Sequence, residues 1–293
     1  MEAKSSGEPA PVGFIGLGNI GKPMARTLTD WPGGLTVFDV AAGVTDSFAA
    51  RGATVAGSPA EVAERAAVIS IMVRDDAQVT EVLTGADGVL STAAPGTVVA
   101  VHSTVEADTP ARLAAVAAER GVELLDAPVS GGAMGAAGGT LALMVGGTAE
   151  AVDRVREPFG RFASLIAHVG PIGAGTRAKL ARNLITFASF AAVGEAMALA
   201  EAAGVDLGLL GEVVRHSDRV TGGSGSVMLR PSTAPLAADD GLRPIFEHTR
   251  GLGEKDLRLA LGLAAELGVD APVAALALDR LGAALGVPHD PER

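Results

Sequence analysis

The chain has 293 residues, 48% of them hydrophobic, and carries 39 Gly, no Cys and a net charge of −11. That length allows two domains with a sizeable core, while the acidic balance argues against a nucleic-acid or anionic-membrane partner. The missing cysteines exclude disulfides, thiolate zinc sites and cysteine nucleophiles.

A small anionic substrate stays compatible with that charge, because local positive groups in a cleft overrule the net balance. The opening "MEAKSSGEPAP" is too polar for a signal peptide. No stretch reaches the roughly 18 uninterrupted apolar residues of a spanning helix. The nearest, 188–203, is interrupted by Glu195 and Glu201. The expectation is a cytoplasmic protein with no membrane partner.

Residues 1–10 read as a flexible tail. Short β-type runs then alternate with helical ones. Strands are expected at 12–15, 35–38, 54–55, 68–73, 97–101 and 122–126, with helices at 59–65, 76–83 and 110–120 between them. Such alternation marks an α/β domain with a parallel sheet and helices on both faces. Two later strands, 140–147 and 164–170, flank a helix at 149–156. Near residue 170 the texture changes. A helical pattern without internal Pro runs from 176 to about 203, some 28 residues or about 42 Å, long enough for a spine or a dimer interface. Helices at 207–216, 248–267 and 273–285 complete an all-α second domain, 171–293 against 11–170. The Gly-, Ser- and Pro-rich segment 217–244 is expected to be ordered only by packing or ligand.

The stretch "VGFIGLGNIGKPMA" begins at Val12 and places Gly16, Gly18 and Gly21 after a strand and before a helix, with Leu17, Asn19 and Ile20 between them. In a dinucleotide site the first glycine makes the tight turn, the second admits pyrophosphate to the backbone, and the third lets helix and strand pack closely. The helix N-terminus then offers N–H groups and a positive dipole end. The confirming acid, about 20 residues on, is Asp39 at the end of "LTVFDV". A carboxylate there accepts ribose hydroxyls and repels a 2′-phosphate. No Arg follows it, so NAD is the expected cofactor and NADP the second choice.

Four further stretches stand in order along the chain: "STVEADTPARL" from Ser103, "DAPVSGG" from Asp126, "GAGTRAKLARN" from Gly173 and "EKDLRLAL" from Glu254. With the glycine motif, they resemble the β-hydroxyacid dehydrogenase family over nearly the whole chain. That family includes 3-hydroxyisobutyrate dehydrogenase and tartronate semialdehyde reductase. The resemblance implies a Rossmann-type N-terminal domain and an all-α C-terminal domain built on a long interdomain helix. It also implies hydride transfer between NAD(P) and a small β-hydroxy acid or semialdehyde, and a homodimer or homotetramer joined mainly through the helical domains.

Site residues follow from the same motifs. Lys179 matches the family's general acid/base, and Asn183, one turn later on the same helix face, would bind substrate and help hold the lysine. To act as a base, the amine needs burial or a cationic neighbour to bring it below its usual range. Ser130, Gly131 and Gly132 match the substrate-carboxylate site, where backbone N–H groups form a nest, and Phe246 is expected to wall the substrate pocket. Met72, Val73, Ser103 and Thr104 would line the cofactor, although Ser or Thr before "EADTPARL" is also good helix-cap chemistry. Lys255 and Asp256 match a second lysine motif that reaches back to the cleft.

The chain departs from the family pattern at three places. Val101 and His102 stand where an Asp commonly precedes Ser-Thr by two residues, Val73 and Arg74 stand where a Pro commonly follows the fourth strand, and Arg182 precedes Asn183 where Asn-Asn is common. His102 is read as structural. The five histidines show no metal-ligand spacing, and hydride transfer needs no metal. An NADPH-dependent imine reductase has the same architecture but usually replaces the lysine with Asp or Tyr, and this chain has no Tyr. A 6-phosphogluconate dehydrogenase needs a longer helical domain and Lys-x-x-His-Asn. A non-catalytic dinucleotide-binding protein has no chemical need for Lys179, Asn183 and Ser130 together.

Overall fold

The strand-and-helix alternation forms as two units, divided between Arg182 and Asn183. The computed structural model describes residues 9–288, so the first eight residues of the expected tail lie outside it. Ala10 is held: its carbonyl accepts the indole N–H of the buried Trp31 at 2.8 Å, and the Arg161 guanidinium lies 5.7 Å from the Trp31 ring centroid.

In the first unit the order is β1 (Val12–Ile15), α1 (Gly21–Arg26), β2 (Leu35–Phe38), α2 (Asp46–Ala49), β3 (Thr54–Val55), α3 (Pro59–Ala63), β4 (Val68–Ile71), α4 (Asp76–Thr84), β5 (Val98–Val101), α5 (Thr109–Ala118), β6 (Glu123–Asp126), β7 (Val129–Ser130), α6 (Gly132–Ala137), β8 (Leu141–Gly146), α7 (Ala149–Phe159) and β9 (Ala163–Gly170). Side chains that begin helices satisfy free N–H groups: Ser58 accepts from Glu61, Asp75 from Gln78 and Thr148 from Ala151.

The sheet runs β3-β2-β1-β4-β5-β6-β8-β7, with β9 on β8. Strands β1 to β6 are mutually parallel, and β8 runs antiparallel to β6 and β7. The period-2 alternation of side chains sorts the strand residues into two apolar cores. Val12, Phe14, Val68, Val98 and Ala100 join one with Phe159 and Phe162. Ile15, Ile69, Ile71, Val99 and Val101 join the other with Leu83 and Leu113. Chain order reverses between β1 and β4, and a doubly wound sheet opens its ligand crevice at the carboxyl ends of the strands beside such a reversal.

The strand β7 is not among the expected elements. Within "PVSGG", Val129 and Ser130 pair with Leu143 and Ala142 of β8. The segment is therefore anchored to the sheet immediately before its two glycines.

The long helix α8 (Ala174–Ala202) runs through the unit boundary and is followed by α9 (Leu207–Thr221), α10 (Arg243–Leu267) and α11 (Pro272–Ala284). The segment 217–244 is more regular than expected, because α9 extends to Thr221, a 3-10 turn occupies Gly223–Val227 and α10 begins at Arg243. In the second unit the Glu195 carboxylate accepts from the backbone N–H groups of Val273 and Ala274, at 2.7 and 2.9 Å, and so closes the N-terminus of α11. Its buried apolar cluster is small: Leu236, Phe246, Leu285 and Val287, with Leu242 and Leu281 against them. Apolar side chains of α8 stay exposed, and by length and mean hydropathy (1.4) this helix is apolar enough to cross a membrane.

Candidate functional site

The first unit holds a cleft of about 650 Å³ at the carboxyl ends of β1, β2, β4 and β5, lined by Gly16, Gly18, Asp39, Val73, Arg74, Ser103 and Thr104 among others. The glycine loop forms its floor. A Cβ on Gly16, whose φ is +93°, would strike the Met72 carbonyl, and one on Gly21 would strike the Gly16 carbonyl. Gly18 has no neighbouring atom within 4 Å of where its Cβ would stand. Crowded, open and crowded is the pattern a pyrophosphate cradle requires. No side chain caps the N-terminus of α1, so its dipole end is left for an anion.

Asp39 lines the cleft at the end of β2. Its carboxylate accepts from Leu17 N–H at 2.6 Å and from Ala41 N–H at 2.8 Å, which ties the acid to the glycine loop. Val40, beside it, is exposed. These residues fit a dinucleotide: an open floor for phosphate, a free helix end and a fixed carboxylate for the ribose. Ile20, Asn19 and Met72 line the same cleft.

Ser103 bridges β5 to the β4 end. Its hydroxyl donates to the Val73 carbonyl at 2.7 Å and accepts from the Val73 N–H at 3.0 Å. The cap reading of Ser103 and Thr104 is corrected, because α5 begins five residues later, with Asp108 at its N-cap. The neighbouring His102 is buried. Its Nδ1 lies 2.8 Å from the Ala127 carbonyl and its Nε2 3.0 Å from the Ser70 hydroxyl. A carbonyl only accepts, so the proton sits on Nδ1 and Nε2 accepts from Ser70. Burial lowers this histidine to about 4, with the Ala127 bond acting in the opposite direction, and the ring is neutral near pH 7.

Lys179 and the "PVSGG" segment meet directly. Its Nζ donates to the Val129 carbonyl at 2.6 Å, next to the half-buried Ser130. Burial lowers the lysine from its ordinary value, and the positive charge of Arg182 lowers it further. Gly131 and Gly132 have φ of +132° and +63°, conformations that L side chains rarely adopt, and they turn the chain from β7 into α6.

Asp126 is the residue that the sequence reading left without a role. Its carboxylate is buried and accepts from Gly173 N–H at 2.7 Å and Thr176 N–H at 2.6 Å, which are free donors at the start of α8. Burial pushes this carboxyl up, and the bonds from Thr176 and Gly173 oppose the rise. Asp126 thus fixes the first turn of the helix whose next residues include Lys179. The available signal was an acid closing a strand and a "GAGT" helix start; its partners lie 47 and 50 positions away.

The remaining expected residues belong to the second unit. Asn183 is half-buried on α8. Lys255 and Asp256 form an exposed ion pair at 2.9 Å on α10. Phe246, expected on a pocket wall, is buried among Leu236, Leu285 and Val287. In a unit with few large buried side chains, the phenyl ring is taken up by the core. Among the described residues no group of three or more His, Cys, Asp or Glu is placed to hold a metal ion.

Cleft, glycine loop and ribose acid define a dinucleotide-binding α/β unit followed by a helical one. The family model for the NAD-binding domain of 6-phosphogluconate dehydrogenase matches residues 11–170. That for the NAD-binding of NADP-dependent 3-hydroxyisobutyrate dehydrogenase matches residues 173–287. An uncharacterized oxidoreductase of Mycobacterium tuberculosis is 57% identical over 282 residues, 96% of this chain and 95% of that protein. The NAD-dependent L-serine dehydrogenase of Pseudomonas aeruginosa is 40% identical over 206 residues, 70% and 69% of the two chains. The crystal structure of a putative oxidoreductase from Mycobacterium avium superposes with a TM-score of 0.90 at 51% identity, covering 95% of this chain and 99% of that one. The chain belongs to the β-hydroxyacid dehydrogenase family. It is an NAD(P)-dependent dehydrogenase acting on CH–OH groups.

Proposed function

We propose that the chain oxidises a small 3-hydroxy acid, or reduces the corresponding semialdehyde, with NAD as the preferred cofactor and Lys179 as general acid/base. The observation that carries this reading is the 2.6 Å contact between Lys179 Nζ and the Val129 carbonyl. It joins a lysine held below its ordinary value to the segment that offers Ser130, Gly131 and Gly132 to a carboxylate. Burial and Arg182 make the neutral amine accessible, as a base in this role requires. Lys179 then takes the proton of the substrate hydroxyl during oxidation and returns it to the carbonyl oxygen during reduction. A bound nicotinamide supplies the hydride acceptor or donor. Ser130 and the N–H groups of Gly131 and Gly132 hold the substrate carboxylate, and Asn183 adds a hydrogen bond to the substrate.

Two further features support the reading. The Asp39 carboxylate is fixed by Leu17 and Ala41 and places negative charge where a 2′-phosphate would sit, which favours NAD. The L-serine and 3-hydroxyisobutyrate named for the relatives are both small β-hydroxy acids, so these head the substrate candidates. A homodimer covering the apolar side chains of α8 accounts for Leu184, Phe187, Phe190, Val193 and Met197, which repeat at three- and four-residue spacing and stay exposed. With the long helix packed in this way no membrane is needed, which supports a cytoplasmic location.

The test follows nicotinamide absorbance with NAD and NADP in parallel over L-serine, 3-hydroxyisobutyrate and their semialdehydes, with Lys179→Ala beside the wild type. Turnover with NAD that collapses in the variant is the expected result. Turnover that survives the substitution removes Lys179 from its role. Reduction of cyclic imines, without oxidation of any hydroxy acid, overturns the substrate class.

A further inference from the structure

We propose that His102 is a positioning residue that sets the substrate-binding segment 127–132 against the cofactor rim; this rests on the function proposed above. The argument begins with what surrounds the ring. His102 packs among Phe14, Phe159 and Phe162, with ring centroids at 6.5, 5.1 and 5.7 Å. A leucine or methionine would fill that apolar cage without the cost of burying two ring nitrogens. The imidazole instead spends both nitrogens on specific partners, Ser70 on β4 and the Ala127 carbonyl just beyond β6.

The backbone on either side makes this a bridge. The His102 N–H donates to the Ile71 carbonyl at 2.8 Å and Ala127 N–H to the Val101 carbonyl at 2.8 Å, so the ends of β4, β5 and β6 are already in register. From that platform, consecutive residues reach in opposite directions. Ser103 grips Val73 at the cofactor cleft on one side, while His102 grips Ala127 on the other. After Ala127 comes Pro128, which has no N–H of its own. The segment is then held through carbonyls in succession: Ala127 by His102, Pro128 by the Met144 N–H at 3.2 Å, and Val129 by Lys179. The His102 bond adds a side-chain link, beside the backbone bond from Ala127 to Val101, that refers this segment back to the strand whose next residues line the cleft. Ser70 acts through the ring: by donating to Nε2 it keeps the proton on Nδ1, where Ala127 needs it.

The test compares His102→Phe, His102→Asn and Ser70→Ala in the full chain by three readouts. These are hydrogen exchange of the peptide covering 127–132, NADH affinity by calorimetry, and kcat and KM for the 3-hydroxy acid. Phe keeps the stacking and loses both hydrogen bonds, so exchange in 127–132 should speed up several-fold and kcat/KM fall by about tenfold or more, with NADH affinity kept within about twofold. Asn can place its amide N–H where Nδ1 stood, and should restore slow exchange and most of kcat/KM even if it melts earlier. Ser70→Ala should fall between the two. Unchanged exchange in His102→Phe overturns the proposal, as does His102→Asn behaving like His102→Phe. If the Phe variant does not fold, the other two decide by the same criteria. Should the wild type turn over none of the hydroxy acids, the proposed function fails on its own, while exchange and NADH affinity still decide what His102 does.

Discussion

The two units of this chain bury their apolar residues very differently. The α/β unit sorts strand residues into two closed cores and fully buries Phe14, Phe48, Phe159 and Phe162. The helical unit closes only a small cluster around Phe246 and leaves Leu184 at 71%, Phe187 at 63% and Phe190 at 62% exposure. The first unit therefore reaches its apolar burial within a single chain. The second presents more apolar surface than a solvated helical domain retains without use, which is the condition expected of a subunit interface. The cleft, Lys179 and the Ser130–Gly132 segment belong to the self-sufficient unit, while Asn183 opens the second.

Four substitutions or conditions break or sharpen this contrast. Lys179→Ala should reduce kcat by roughly 10²–10⁴-fold, the usual contribution of a general acid/base. Its melting temperature, read by calorimetry, should hardly move, since the side chain is only half-buried. Next comes Phe246→Ala, which empties the centre of a cluster of four and should destabilise the helical unit by about 3–5 kcal/mol. Calorimetry would then show that unit melting ahead of the α/β unit.

The third is an effect of pH confined to the α/β unit. His102 is held at about 4 in the folded protein against about 6.5 in the unfolded chain. Between those values the unfolded state binds the extra proton, so stability is complete above about pH 6.5 and falls as pH drops towards 4, by about 3 kcal/mol in all. Asp126 acts with the opposite sign, because its carboxyl is raised by burial and acid relieves that cost. Urea titrations of wild type and His102→Phe across this window isolate the histidine, since Asp126 contributes to both and cancels. A slope equal in the two proteins would assign the acid sensitivity elsewhere. The last expected effect is on assembly. Phe187→Ser with Phe190→Ser should weaken association by about 2 kcal/mol for each anchor lost, and sedimentation velocity should show monomer while NADH binding to the α/β unit persists.

Much of the fold was legible in the sequence because it rests on local rules. The alternating apolar strands, the glycine loop and Asp39 announce the α/β unit, and the unbroken Ala-rich run announces α8. What the sequence concealed depends on contacts between distant residues. The pairing of β7 with β8 cannot be read from "PVSGG", whose composition is that of a turn. Asp126 meets Gly173 and Thr176 across about fifty positions, and His102 meets Ser70 on β4 and Ala127 just beyond β6. Phe246 is a different case: a lone aromatic before a helix reads as pocket wall or as core, and only the fold shows the side chains it packs against. Lys179 stood in between. Its place on α8 came from a motif, while its partner, the Val129 carbonyl, came only with the fold.

Trp31 carries a practical consequence. It is the single tryptophan of a chain without tyrosine, and it is buried in the α/β unit with its indole N–H on Ala10 and Arg161 over its ring. Tryptophan emission from this protein therefore originates in one unit alone, and the helical unit is dark by this signal. Far-ultraviolet circular dichroism, by contrast, draws on helices of both units. Recorded on one sample during unfolding, the first signal follows the α/β unit and the second the whole chain, with no label introduced.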